Sequence, residues 1–269
     1  MDRFYIITNE SKDERHEISK QIEDYLTKHG KICITDPEEA KRTKLDCAIA
    51  IGGDGTMILA ARELLGRDVP LLGVNMGTLG YLTEAEIQNL LPALDQLMED
   101  RYTIEERMML SGNIKGMKED IALNDIVVTR SESLHIVRLM LYVNGEYLTS
   151  YQADGLIIST PTGSTAYNLS AGGPIVEPTA SMILITPICP HSLNKSSIVL
   201  AATDEIQIEI GSRRNKEREE AVVTFDGTDI MRLATGDRVK VKKANEITKL
   251  VKLSNISFLE TLREKMKGN

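Results

Sequence analysis

The chain has 269 residues, 42% of them apolar and 27% charged, which is enough for one large or two ordinary globular domains. Its 40 acidic and 32 basic side chains give a net charge of −8, which argues against nucleic acid as a partner. Cys33, Cys47 and Cys189 form no Cys-x-x-Cys pair and indicate reduced thiols. Because we find no signal-peptide pattern and no apolar run near the roughly 18 residues of a membrane span, we expect a cytoplasmic protein without a membrane partner.

Strand-like and helix-like patterns alternate through the first hundred residues, as in a parallel sheet with crossover helices. The predicted strands are 4–7, 32–34, 47–51 and 70–74. The predicted helices are 18–30, 56–65 and 89–99. This part of the chain therefore favours an α/β domain with a parallel, Rossmann-like sheet.

After Arg101 the pattern changes to short β-rich runs separated by turn signals such as Asn144-Gly145 and Asp226-Gly227. The predicted strands are 103–110, 121–128, 135–143, 156–159, 182–186, 204–210, 221–225 and 238–241. The charged residues 213–220 are expected to form a solvated hairpin tip, and 258–266 a closing helix. This pattern predicts a mostly antiparallel domain for the second half of the chain.

The first motif is Ile51-Gly52-Gly53-Asp54-Gly55-Thr56, between a predicted strand and a predicted helix. Glycines allow close approach of the backbone, and a helix N-terminus attracts a phosphate. A carboxylate in such a loop fits a hydroxyl nucleophile or a divalent metal, although a tight turn in which Asp54 bonds its own backbone remains an alternative. The loop is neither a Walker loop nor the dinucleotide Gly-x-Gly-x-x-Gly motif.

The second motif is the stretch 160–173, rich in glycines and small hydroxyl residues, with Tyr167 as a stacking face. A surface of this composition suits a polar ligand that contains rings. The alternative interpretation is a loop that only caps a helix. Ser164 lacks the Gly-x-Ser-x-Gly elbow of a nucleophile.

The third motif is the Asn124-Asp125 pair inside a predicted strand. A carboxylate can accept hydrogen bonds from two ribose hydroxyls, and both side chains reach one site only at a bulge or a strand end. The alternative is a turn-forming pair at a strand edge.

Together these motifs resemble the NAD kinase family, and its bacterial members most closely. The resembling segments, in chain order, are 52–56, 77–82, 124–125, 160–173 and 186–193. The first loop is shared with lipid kinases and phosphofructokinases, whereas the stretch 160–173 is far more specific.

The resemblance implies an α/β N-terminal domain, residues 1–100 plus 254–269, for the phosphate donor. It also implies an all-β C-terminal sandwich, residues 101–253, for NAD, with the C-terminal helix returning to the first domain. A homo-oligomer, dimer or tetramer, is implied as well.

The implied reaction transfers the γ-phosphoryl group of ATP to the 2′-hydroxyl of the adenosine ribose of NAD, with a divalent ion, Mg²⁺ or Mn²⁺. Asp54 would be the catalytic residue, and Gly52, Gly53 and Gly55 would present their backbone amides to the phosphates. No side chain is assigned as a metal ligand. The residues expected to bind the dinucleotide are Asn124, Asp125, His135, Gln152, Asp154, Thr162, Thr165, Ala166, Tyr167, Asn168, Leu169 and Ser170.

Two alternatives remain at this stage. A lipid kinase would usually follow the glycine loop with a Leu-Asn-Glu-like segment, whereas Thr56 here leads into Met57-Ile58-Leu59. A non-catalytic NAD-binding regulator would keep the stretch 160–173 but tolerate the loss of Asp54, which is present.

Overall fold

A computed structural model gives the fold of the chain. It describes residues 1–77, 80–114, 116–131, 135–191, 195–212 and 219–267, and for residue 229 only the backbone. Parts of the resembling segments 77–82 and 186–193 lie outside the described residues.

Helices and strands alternate in the first part, and strands dominate the second. The strands are β1 Arg3–Thr8, β2 Ile32–Ile34, β3 Cys47–Gly52, β4 Leu71–Asn75, β5 Ala85–Glu86, β6 Thr103–Ile114, β7 Asp120–Ala122, β8 Asp125–Arg130, β9 Val137–Val143, β10 Glu146–Ala153, β11 Gly155–Ser159, β12 Met182–Ile188, β13 Ile198–Ala201, β14 Ile206–Ile210, β15 Glu220–Phe225, β16 Thr228–Ala234 and β17 Arg238–Lys252. The α-helices are α1 Glu17–Lys28, α2 Pro37–Arg42, α3 Asp54–Glu63, α4 Leu90–Met98, α5 Tyr167–Ser170 and α6 Phe258–Met266.

The first compact unit consists of Met1–Glu106 and Thr248–Asn269. Strands β4, β3, β1 and β2 lie side by side and run parallel, as predicted. Ile22 and Leu26, four residues apart on α1, and Leu94 on α4 are fully buried in the same core as the strand residue Ile49. The final helix α6 belongs to this unit, and its Phe258 ring lies 6.2 Å from the ring of Tyr81.

The second unit, Arg107–Ile247, is an antiparallel β-sandwich, as predicted. One sheet has the order β10-β9-β14-β17, and the other has the order β13-β12-β11-β8-β15-β16. Alternate residues of the two sheets, such as Leu139 and Ile208 on one and Ile158 and Phe225 on the other, form a common core.

The division between the units falls inside β6 and β17. The sequence prediction put it at 100/101 and 253/254, near the ends of these strands. Since both strands continue through the boundary, no loop or composition change marks it in the sequence.

Several predicted elements differ from the structure. Among the elements that the sequence prediction missed are α2 and the strands β5, β10, β13 and β16. Within the described residues, each of these four strands pairs on one side only, which leaves more of a strand exposed. The predicted strand 121–128 is interrupted at residues 123–124, and strand 238–241 continues to Lys252.

Most of the charged stretch 213–220 lies outside the described residues. Glu219, inside it, is only 6% exposed, so a solvated tip is wrong for that residue. No helix in the described part of the chain is long and apolar enough to cross a membrane.

Candidate functional site

The glycine loop joins the end of β3 to the start of α3. Gly53 is the extended residue before the helix, and Asp54 is the first helical residue. A side chain on Gly52 would overlap the Thr56 hydroxyl, which explains a glycine there. The loop therefore presents its backbone and the N-terminus of α3 at the carboxyl end of a parallel strand, where such sheets bind phosphates.

Two backbone amides hold the Asp54 carboxylate. Tyr81 N–H donates to Oδ2 at 2.9 Å, and Leu82 N–H donates to Oδ1 at 3.0 Å. Asp54 thus does not simply bond its own loop, as the turn alternative supposed. Its two oxygens have fixed directions, and each keeps a lone pair for a further partner.

Gly80 keeps the space that this carboxylate needs. A β-carbon at Gly80 would overlap Asp54 Oδ1, so we expect Gly80→Ala to displace the carboxylate and lower kcat by roughly 10–100-fold. Steady-state kinetics checks this result. Gly77→Ala is the matched control, because a β-carbon there meets nothing within 4 Å and full activity is expected. Equal kcat values for the two variants would contradict the positioning of Asp54 by this segment.

A lysine that sequence reasoning missed lies beside the loop. The Lys12 ammonium nitrogen is 3.1 Å from the position that a β-carbon of Gly53 would take. Its turn is tied to the loop, because Asn9 N–H donates to the Ile51 carbonyl at 3.1 Å and Asn9 Nδ2 donates to Thr56 Oγ1 at 3.3 Å. A cation next to a helix N-terminus is a favourable site for a phosphate.

In the sandwich unit, three strand ends meet at one edge of a sheet. The start of β8 is flanked by the end of β11, where Ser159 is opposite Asp125. On its other side is the end of β15, where Phe225 is opposite Ile126. The antiparallel register therefore gathers Asn124-Asp125, the stretch that follows Ser159 and the turn that follows Phe225.

The second and third predicted motifs are in direct contact at this edge. Thr160 N–H donates to the Asn124 carbonyl at 2.9 Å, and Thr160 Oγ1 donates to the Leu123 carbonyl at 2.6 Å. A β-carbon on Gly163 would overlap the Asn124 carbonyl, so only glycine allows this approach. Asn124 lies just before β8 and Asp125 at its first position, which is the strand-end arrangement that lets both side chains reach one site.

Asp226 is a second residue that the sequence reasoning missed. Its carboxylate accepts hydrogen bonds from three consecutive backbone N–H groups, those of Leu123 at 2.8 Å, Asn124 at 2.7 Å and Asp125 at 3.1 Å. The sequence signalled only the Asp226-Gly227 turn, and the partners lie about a hundred residues away in the chain.

Two side-chain groups at this edge are buried at an energetic cost. Burial, with a further contribution from the charge of Asp226, raises the pKa of Asp125 from 3.8 to about 7. The buried oxygen Asn124 Oδ1 has no hydrogen-bond partner among the described residues. Such an orphaned acceptor costs about 1–3 kcal/mol, which a ligand donor can offset.

The stretch 160–173 has an exposed side and a buried side. Tyr167 is 45% exposed and Leu169 41% exposed, and Ser170 is exposed too. Thr165 and Ala166 are half-buried.

The buried side chains of the stretch are bonded internally. Asn168 is completely buried; its Nδ2 donates to the carbonyls of Ser164 and Pro174, and its Oδ1 accepts from Thr186 at 2.7 Å. Thr162 is also buried, and its hydroxyl accepts from Arg107 at 3.3 Å. Ser164 is inaccessible, in keeping with its exclusion as a nucleophile.

The remaining predicted residues lie on or near β9, β10 and β11. Asp154 forms an ion pair with Arg130 at 2.9 Å. The Gln152 side chain is exposed, and its carbonyl accepts from the His191 N–H at 2.8 Å. His135 is exposed and follows residues 132–134, which are not described. Within the described residues, no group of three or more His, Cys, Asp or Glu side chains could hold a metal ion.

The first unit combines a parallel sheet, a glycine loop and a carboxylate fixed by backbone amides, and the second unit is a β-sandwich with a polar edge. These features define a class of protein, the phosphotransferases that hold a phosphate at a glycine loop. Comparison with known proteins narrows it. The ATP-NAD kinase N-terminal domain matches residues 7–102, and the ATP-NAD kinase C-terminal domain matches residues 123–253.

Curated relatives of the same family match the chain over its full length. The chain is 44% identical to the NAD kinase of Lachnospira eligens, over 99% of this chain and 100% of the relative. It is 45% identical to that of Agathobacter rectalis, over 100% of this chain and 99% of the relative.

Solved structures agree as well. A yeast NADH kinase complexed with NADH has a TM-score of 0.84 and 25% identity, with 100% of this chain and 88% of that chain covered. An NAD kinase from Archaeoglobus fulgidus in complex with ATP has a TM-score of 0.80 and 26% identity, with 98% of each chain covered.

The chain belongs to the ATP-NAD kinase family. It is an enzyme that transfers the γ-phosphoryl group of ATP to the 2′-hydroxyl of the adenosine ribose of NAD, giving NADP. This result decides against both the lipid kinase and the non-catalytic regulator.

Proposed function

We propose that Asp54 accepts or orients the proton of the NAD 2′-hydroxyl during phosphoryl transfer. The two amides that fix the carboxylate support this role, because a general base must have a defined direction. Since the transition state of phosphoryl transfer is loose, alignment of the two substrates contributes more than early proton removal.

The triphosphate of ATP would lie against the glycine loop. The amides of Gly52, Gly53 and Gly55 would donate to phosphate oxygens, and the N-terminus of α3 would favour their charge. The position of Lys12 beside Gly53 supports a further role in neutralising this charge.

A divalent ion, Mg²⁺ or Mn²⁺, would accompany the triphosphate. Carboxylate oxygens are ligands that Mg²⁺ accepts, and Asp54, with a free lone pair on each oxygen, fits as one of the one or two carboxylates needed. When bound, the ion neutralises charge on the phosphate oxygens.

NAD would bind at the polar edge of the sandwich unit, and the orphaned Asn124 Oδ1 is the observation that carries this proposal. A ribose hydroxyl or an amide N–H of the dinucleotide would satisfy this oxygen. Asp125 would contact the dinucleotide next to Asn124, and the exposed Tyr167 would stack its ring on a ring of the dinucleotide. The other expected contacts are Thr165, Ala166, Leu169, Ser170, Asp154, Gln152 and His135.

Two residues expected to touch NAD are better explained as supports. Asn168 and Thr162 are buried and bonded within the protein. We therefore assign them an indirect part in NAD binding, in which they hold the stretch 160–173 in shape.

Substitution of Asn124 tests the NAD site. We expect Asn124→Ala to raise KM for NAD about 10-fold, the equivalent of one lost hydrogen bond, and to leave KM for ATP unchanged. Asn245→Ala, at an exposed position of β17, is the matched control and should behave like the wild type. An unchanged KM for NAD in Asn124→Ala would remove this residue from the site.

We also propose that the enzyme works in the cytoplasm as a homo-oligomer, dimer or tetramer. The free cysteines Cys33, Cys47 and Cys189 fit a reducing compartment. Ile230, 71% exposed, is the kind of apolar side chain that a second subunit would cover.

A further inference from the structure

The Asp226-Gly227 pair forms the two-residue turn between β15 and β16. Both residues have positive φ, 50° and 74°, and Phe225 pairs with Thr228 on either side of them. This geometry is that of a type I′ hairpin turn, for which asparagine at the first position is at least as suitable as aspartate. The turn alone therefore does not require a carboxylate.

The carboxylate of Asp226 instead binds the backbone of the segment before β8. It accepts hydrogen bonds from the N–H groups of Leu123, Asn124 and Asp125, in the segment that connects the end of β7 to the start of β8. Three converging N–H groups form an anion-binding concavity, and hydrogen bonds to a charged acceptor are the stronger kind. A return bond, from Asp226 N–H to the Asp125 carbonyl at 2.9 Å, closes the arrangement.

The opposite side of the same segment is held by the second motif. The carbonyls of Leu123 and Asn124 accept from Thr160, so the N–H groups point to Asp226 and the carbonyls to Thr160. The backbone of this segment is therefore bonded on both sides, by bonds that do not use the Asn124 and Asp125 side chains.

We propose that Asp226 is a positioning residue for NAD, which fixes the backbone of residues 123–125 so that Asn124 and Asp125 are preorganised for the dinucleotide. This inference rests on the proposed role of Asn124 at the NAD site. Asp226 itself need not touch either substrate.

Asp226→Asn isolates the carboxylate, because it keeps the turn but replaces one acceptor oxygen with an N–H₂ group that faces N–H donors. We expect KM for NAD to rise about 10- to 100-fold, because charge-assisted hydrogen bonds are lost. KM for ATP should stay within about twofold of the wild type. Asp204→Asn is the matched control. Its carboxylate also holds a turn of this unit, through Ala201 N–H and Asn144 Nδ2, and its kinetics should not change.

A double substitution distinguishes positioning from an independent effect. If Asp226 acts through Asn124, Asn124→Ala and Asp226→Asn together should raise KM for NAD by much less than the product of the single effects. Fully multiplicative effects would overturn the proposal, and so would an unchanged KM for NAD in Asp226→Asn while Asn124→Ala raises it. No effect of Asn124→Ala would instead refute the proposed NAD site.

A second variant tests the proposal if Asp226→Asn does not fold. Asp226→Glu keeps the charge but is one methylene longer, so it should give the same NAD-selective rise in KM, of at least about threefold. If Asp226→Glu leaves this KM unchanged, the proposal is wrong.

Discussion

Replacing Asp54 with asparagine should lower the turnover of NAD by roughly 10²–10⁴-fold, the usual contribution of a positioned general base. Asparagine keeps the size of the side chain and can accept one of the two bonds from Tyr81 and Leu82. It cannot accept a proton from the 2′-hydroxyl. Because Asp54 would contact only the reacting hydroxyl, and the other proposed contacts of the dinucleotide are unchanged, KM for NAD should change little.

Asp68→Asn is the control for this experiment. Asp68 is an exposed residue of the same unit, paired with Lys249 at 2.5 Å, and asparagine tolerates its positive φ of 54°. Its turnover should equal that of the wild type. An Asp54→Asn enzyme with full turnover would remove Asp54 from the mechanism.

Replacing Asp125 with asparagine should stabilise the ligand-free protein at neutral pH. Asp125 is 5% exposed, and burial raises its pKa from 3.8 to about 7, so the folded protein binds this proton more tightly than the unfolded chain does. The contribution of this carboxyl to the free energy of unfolding therefore falls as the pH rises from about 4 to about 7, whereas asparagine at this position makes no such contribution. We expect the variant to have the higher free energy of unfolding, with a gap that widens by about 2–3 kcal/mol between about pH 5 and about pH 8.

Urea unfolding at the two pH values measures this gap. The control is Asp24→Asn, the same substitution at an exposed position of α1, which should stay within about 0.5 kcal/mol of the wild type at both pH values. A constant gap for Asp125→Asn, or a gap that narrows as the pH rises, would contradict a buried carboxyl that resists ionisation.

The architecture could be predicted because periodicity reports burial. Strands such as β3, with every residue buried, give continuous apolar runs, and α1 gives a helical repeat. The edge strands could not be found in this way, because β10 carries exposed residues such as Tyr147 and Leu148 where an alternating pattern would need burial. Helix α2 does carry a sequence signal, because Asp36 is an N-cap residue and accepts from the Glu38 N–H at 2.8 Å.

The site could be predicted as motifs but not as an arrangement. Spacing and residue type indicated Asp54 and Asn124-Asp125, and the antiparallel register explains why the latter pair meets the stretch after Ser159. The role of Asp226 was hidden, because a turn signal describes the backbone and says nothing about where the carboxylate points. Lys12 gave no signal for the same reason, since its neighbour Gly53 comes close only through the fold.

The most direct test of the central claim is NADP formation by the purified chain given NAD, ATP and Mg²⁺, read with an NADP-specific dehydrogenase. We expect NADP to accumulate only when all three are present, and at least about 10²-fold more slowly with the Asp54→Asn enzyme. No NADP from a folded wild-type protein that still binds NAD in calorimetry would contradict the assignment as an NAD kinase.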